Sequence, residues 1–405
     1  MSTVLTPSSI SPRRALTGWL AVVSVLLAIF SLVTAEILPI GLLTSIGADF
    51  TISDGMAGLM MTMPGLVAAV AAPVSILAAG RIDRRILLYL FMFLLVLSNA
   101  LVAAAPAYWV VLVSRVLVGV AIGGFWSIAA GLAHRLVPEA AVGRANAVIF
   151  AAVPLGSVLG VPAGTLLGEI AGWRTTFVVV GVLAAGVLGM LAMFLPPLPA
   201  QQATRVAVLR GLLRGAGVRF ALLATFLVVL AHFGAYTYLT PFLEQVAHLG
   251  PGMVTLLLLS YGAAGILGNF LGGAAIERYP HATSGGAAAL LASATLLLPL
   301  LGQRPAGALV LLIVWGIGYG AVPVSSQAWF AKAAPHTPEA ASVLFTASFQ
   351  ATISLGALAG GVVVDRGSPT GVMLCGGLTA TLVIVAVTAH AIRRGRSDRQ
   401  ELPHG

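Results

Sequence analysis

The chain has 405 residues, of which 59% are hydrophobic and only 8% charged. A soluble globular domain carries about a quarter charged residues, so lipid is the expected solvent for most of this surface. The net charge of +9 does not point to nucleic acid, because the charges lie in short segments between apolar runs rather than on a polar domain.

From the N-terminus, Met1 to Thr17 is polar, with Arg13 and Arg14. The apolar run that follows is too long for a signal-peptide core and reads as an uncleaved first span. A bilayer core about 30 Å thick takes roughly 20 apolar residues per helix. Runs divided by polar, Pro or Gly breaks predict twelve spans, near 17–39, 54–79, 86–105, 107–133, 141–168, 174–195, 219–243, 252–276, 284–302, 306–331, 340–364 and 370–392. The expected fold is therefore all-α and membrane-embedded.

Seventeen of the 21 Lys and Arg residues fall on one side of this scheme and three on the other, with Arg115 inside a span. Basic residues gather in cytoplasmic segments, so both termini are expected in the cytoplasm. The longest polar break, 196–218, is expected to be a cytoplasmic linker. It joins an N-terminal six-helix bundle (1–195) to a C-terminal bundle and tail (219–405). Pro138-Glu139-Ala140-Ala141 recurs as Pro338-Glu339-Ala340-Ala341, and at the same offset of 200 Gly156 matches Gly356 and Gly160 matches Gly360. Parallel repeats of six spans predict a transporter whose site lies between the halves at mid-membrane.

Two charged residues lie inside the spans. Glu36, near the outer end of the first span, is a candidate proton carrier, since a carboxyl in a low-dielectric span can be exposed alternately to each side; it could also simply end the helix at the interface. Arg115 needs a cavity, a partner or a route to the surface. It is the candidate for balancing charge or acting on Glu36. His232 in the seventh span is a second proton candidate or a packed, hydrogen-bonded residue. Candidate cavity residues are Phe125, Trp126, Tyr236, Asn269, Trp315, Gln327 and Gln350; each is equally readable as packing or helix–helix bonding. In the fifth span Gly156, Gly160, Gly164 and Gly168 recur every four residues, so they line one face and admit a close neighbour. Pro162 lies among them.

Several of these segments resemble the major facilitator superfamily. Gly80-Arg81-Ile82-Asp83-Arg84-Arg85 is similar to its loop signature Gly-x-x-x-Asp-Arg-x-Gly-Arg-Arg, with Ala79 at the first Gly and the later Gly-Arg step shortened. The resemblance implies a conformational latch at Gly80, Asp83, Arg84 and Arg85, with Asp83 set against a helix of the opposite half. Arg115-Val116-Leu117-Val118-Gly119 resembles the Arg-x-x-x-Gly signature of the fourth span. Gly156 to Gly164 resembles the antiporter signature Gly-x-x-x-Gly-Pro-x-x-Gly, with Pro162 displaced by one.

As a whole, the chain resembles the twelve-span drug:proton antiporters. The segments around Glu36, Gly123 to Ser127 and Gly172-Trp173-Arg174 are similar to bacterial purine ribonucleoside and sugar efflux pumps. The resemblance implies a monomer in the bacterial inner membrane that exports a small organic molecule in exchange for protons. The proton gradient would supply the energy. The alternatives are a proton-coupled uptake symporter or uniporter on the same fold, and an integral-membrane enzyme acting on lipid, which would need clustered acids or His at a membrane surface. No nucleotide-binding loop, metal motif or enzyme signature is present in the sequence, so no cofactor, metal or enzymatic reaction is expected.

Overall fold

The structure is a computed structural model that describes residues 12–78, 82–129, 132–199, 211–335 and 337–400. Among them are no strands, and twelve helices are long and apolar enough to cross a membrane. They are α1 (Pro12–Ile37), α2 (Asp54–Ala78), α3 (Arg84–Ala103), α4 (Tyr108–Ala129), α5 (Val142–Ala171), α6 (Trp173–Phe194), α7 (Ala216–Tyr236), α8 (Pro251–Ile276), α9 (Pro280–Leu301), α10 (Pro305–Ala333), α11 (Pro338–Arg366) and α12 (Pro369–Gln400).

The helices follow the apolar runs, and prolines explain where their ends differ from expectation. Helix α9 starts at Pro280 rather than near 284, because proline at the first helical position gives up only an N–H that would be unpaired there anyway. The first span, expected to reach residue 39, breaks at Leu38, and a short helix continues as Pro39–Phe50. Pro39 has no N–H for the Ala35 carbonyl, and its ring crowds that carbonyl. The seventh span, expected to reach 243, ends at Tyr236 for the same kind of reason. Pro241 follows, and the chain passes through Leu239–Pro241 into a π turn, Phe242–Val246. The two broken ends meet, with Thr240 Oγ1 donating to the Ile40 carbonyl at 3.0 Å.

The helices form two six-helix bundles. One apolar core runs from Ala21 to Leu198. A second is built mainly from Val228 to Val387 and takes in Ile40, Met61 and Val161 of the first bundle. The bundles meet where α2 packs on α11 and α5 on α8. A Cβ at Gly65 of α2 would strike the Gln350 carbonyl and the Ser354 hydroxyl, and one at Gly262 of α8 would strike Val158.

The glycines repeated at an offset of 200 do equivalent work. Gly156 and Gly160 of α5 lie against Val33 and Thr34 of α1, and Gly164 and Gly168 lie against Leu38 and Leu42. Gly356 and Gly360 of α11 lie against Gly234 of α7. Each stripe packs a helix onto the broken first helix of its own bundle.

Twelve crossings return the chain to the face where it began, here the terminal face; the opposite one is the distal face. The distal face is closed by bonds between the bundles. The Asp365 carboxylate at the end of α11 accepts from Gly55 N (2.9 Å) and Ser53 Oγ (2.7 Å) at the start of α2. Gln245 Nε2 donates to Asp54, and Thr255 Oγ1 to Glu169. Beside them, Glu244 has its carboxyl pushed above the usual range, first by burial and then by Asp54 and Glu169, with the Thr44 hydroxyl partly offsetting this. On the terminal face, Asp83 turns inward to its own bundle. Its Oδ1 accepts from Arg85 N (2.8 Å), capping α3, and from Leu198 N (2.9 Å). Among the described residues it makes no bond to the opposite bundle, so the expected latch contact of Asp83, Arg84 and Arg85 is not formed in this structure. Gly80 lies outside the described residues.

Candidate functional site

Proline chemistry builds the core of the site. In a regular helix the Ala35 and Met60 carbonyls would accept from residues 39 and 64. Both are prolines, so both carbonyls lose their helical donors. Arg115, projecting from α4, supplies them. Its Nη1 donates to Ala35 O (2.9 Å), its Nε to Met60 O (3.0 Å) and its Nη2 to Glu36 O (3.0 Å). Arg115 is only 1% exposed. Its fixed fork suits three acceptors on two helices. Gly119, one turn along α4, lets the helix come close enough, since a Cβ there would meet the Pro64 carbonyl and Val67. The Arg-x-x-x-Gly spacing is therefore a contact between α4 and the Pro64 turn of α2.

Arg115 thus holds the backbone of Glu36, while the Glu36 carboxyl points elsewhere. No ion pair joins the two side chains among the described residues. Glu36 is 8% exposed, and its Oε1 accepts from Gln350 Nε2 of α11 at 2.9 Å. This bond crosses from one bundle to the other, near the middle of the α2–α11 contact.

The second bundle holds an aromatic stack. Tyr319 of α10 lies on His232 of α7, with centroids 3.4 Å apart and planes 9° from parallel. Tyr236 stacks on His232 (5.0 Å) and Tyr261 on Tyr236 (4.7 Å). Trp315 stands edge-on to His232, and its Nε1 donates to His232 Nδ1 at 3.1 Å. Indole is a donor only, so that bond leaves the imidazole hydrogen on Nε2, which faces the Tyr261 hydroxyl at 3.5 Å. A proton added at Nδ1 would break the bond to Trp315.

Glu36, Arg115 and Gln350 thus converge, and His232, Tyr236 and Trp315 form a separate cluster. Phe125 is fully buried in the first core, and Trp126 is partly buried and stacked on Phe150. Asn269 is partly buried on α8 and Gln327 is exposed on α10. Neither is hydrogen-bonded to Glu36 or Gln350. Gly156, Gly160, Pro162 and Gly164 lie on α5, whose glycines pack against the helix carrying Glu36. Sequence reasoning missed Tyr319, Tyr261, Pro64 and Asp365. The four-residue step from Trp315 to Tyr319 puts both on one face of α10 and was the available signal for Tyr319.

The profile of the Major Facilitator Superfamily matches residues 25–345, most of the chain. The chain belongs to that superfamily. Over 377 residues it is 34% identical to the purine ribonucleoside efflux pump NepI of Escherichia coli K12, covering 92% of this chain and 94% of the relative. It is 36% identical over 353 residues to the Pseudomonas aeruginosa transcription regulatory protein OpdE, covering 86% and 88%. Among solved structures it resembles a bacterial homologue of the human lysosomal transporter Spinster in an inward-facing, unoccupied conformation. There the TM-score is 0.71 at 15% identity, over 94% of this chain and 96% of that one. The chain is a multi-pass membrane transporter and not an enzyme. Among the described residues no group of three His, Cys, Asp or Glu side chains is placed to hold a metal.

Proposed function

We propose that this transporter exports a small organic molecule from the bacterial cytoplasm across the inner membrane in exchange for protons, working as a monomer by alternating access. The observation that carries the reading is the bond between Glu36 Oε1 and Gln350 Nε2, which ties a buried carboxyl of one bundle to the other. A proton gained or lost at Glu36 changes the charge on a group that both bundles hold, and so biases their relative position. Arg115 supports this by fixing the kinked backbone that carries Glu36. His232 is assigned to the substrate side, since its Nδ1 is already engaged by Trp315.

The excess of Lys and Arg on the terminal side favours a cytoplasmic terminal face. The distal bonds then describe the state that receives cargo from the cytoplasm. In the opposite state Asp83 would meet the other bundle, with Gly80, Arg84 and Arg85 beside it. The relative that pumps purine ribonucleosides favours a nucleoside, with sugars and drug-like molecules as the other candidates for this chain.

Inverted membrane vesicles with an imposed pH gradient test the reading. Addition of substrate should release protons from the vesicle lumen, and Glu36→Gln should abolish gradient-driven transport while leaving the protein in the membrane. Full gradient-dependent transport by Glu36→Gln would remove Glu36 from the coupling, and the reverse dependence on the gradient would favour uptake by symport.

A further inference from the structure

We propose that Tyr319 is the platform on which a planar heteroaromatic ring of the substrate stacks, with the hydrogen-bonding edge of that ring turned to Glu36 and Gln350. This rests on the export reading and narrows its substrate to molecules with a flat, polar ring.

The direction of Tyr319 follows from its neighbours on α10. Gly316 and Gly320 face α8, where a Cβ would meet Tyr261 O and the Gly265 backbone. Gly318 faces Ala287 and Leu290 of α9. Tyr319 stands between the α8 side and the α7 side, where it covers His232, and α8 in turn packs on α5 of the other bundle. Ile37 and Phe349, the chain neighbours of Glu36 and Gln350, pack against the same second core as Tyr319.

The stack has a closed end and an open end. His232, Tyr236, Tyr261 and Trp315 are each at most 7% exposed, whereas Tyr319 is only partly buried. One face of Tyr319 is taken by His232 and Phe233 meets it edge-on; no ring lies on its other face among the described residues. The Glu36 carboxyl and the Gln350 amide, bonded to each other across the bundles, are groups that can hydrogen-bond the edge of a nitrogen heterocycle while the face of Tyr319 accepts its plane. The rings beneath hold Tyr319 in place, so little side-chain freedom is lost when a ligand arrives.

The test is equilibrium binding of radiolabelled adenosine to the purified full-length protein in detergent, with ribose as the control without a heteroaromatic base and melting temperature as the check on folding. Tyr319→Ala should weaken adenosine binding about tenfold, the range of stacking on an aromatic side chain. Tyr319→Phe and Tyr319→Trp should bind adenosine within about twofold of wild type, since the ring face is kept. Ribose should be indifferent to all three. Two results overturn the platform: Tyr319→Ala binding adenosine like wild type, or Tyr319→Phe losing as much as Tyr319→Ala. Wild type that binds ribose but not adenosine also overturns it, and leaves gradient-driven sugar export standing. Loss of proton-driven efflux for every substrate in vesicles, with adenosine binding intact, overturns the export reading and not the platform.

Discussion

Arg115 occupies a position where an isolated cation is expensive, yet its donors face carbonyls, two of which Pro39 and Pro64 have deprived of helical partners. The charge and the prolines therefore explain each other. Hydrogen bonds to charged groups contribute about 1.5–3 kcal/mol each, so Arg115→Met should lower stability in detergent by about 3 kcal/mol or more, read from denaturant unfolding. Pro64→Ala returns an N–H to the Met60 carbonyl. In that background the cost of Arg115→Met should fall by about 1 kcal/mol. Strict additivity of the two substitutions would show that the proline and the arginine act independently. Glu36 and Arg115 stood out in the sequence because a charge in an apolar run is visible locally. Their relation was not visible: the arginine binds the glutamate's backbone, and the carboxyl finds Gln350, 314 residues later.

At the scale of elements, α2 and α11 form the seam that keeps the distal face shut. Gly55 is held there by close approach, since a Cβ would run into the Asp365 carboxyl and the Gly361 carbonyl. Asp365→Ala removes two acceptor contacts to the first turn of α2, and Gly55→Ala wedges the same seam. Both should shift the balance toward an open distal face, by about tenfold for Asp365→Ala. Spin-label distances between one site on each bundle at that face would report it, and an unchanged distance distribution in both variants would mean the seam is not the restraint. Helix existence was legible here, because run length and the proline breaks are local. The partner of α2 was not, because the glycines name a close neighbour without saying which helix it is.

For the whole molecule, closing the distal face gathers Glu244, Asp54 and Glu169. The Glu244 carboxyl is raised by burial first, so the closed state prefers it protonated. Its contribution to closure is full at low pH and is lost as pH rises through its shifted value. Acidifying the medium on that side should favour closure, and Glu244→Gln should flatten the response when spin-label distances are followed against pH. An equal slope in Glu244→Gln would assign the pH response to other groups. With the distal face as the outer one, an acidic exterior would then favour the state open to the cytoplasm.

The sequence alone determined the number of spans, the identity of the intramembrane charges and the six-plus-six repeat. These depend on run length, charge exclusion and spacing along one dimension, which the bilayer reads directly. Only the tertiary structure decided that Arg115 serves proline-freed carbonyls, that Glu36 reaches across to Gln350 and that Tyr319 ends an aromatic stack. Those contacts depend on how each helix is rotated about its axis and on which distant helix it meets, and small-residue packing sets both through shape that no local run of sequence contains.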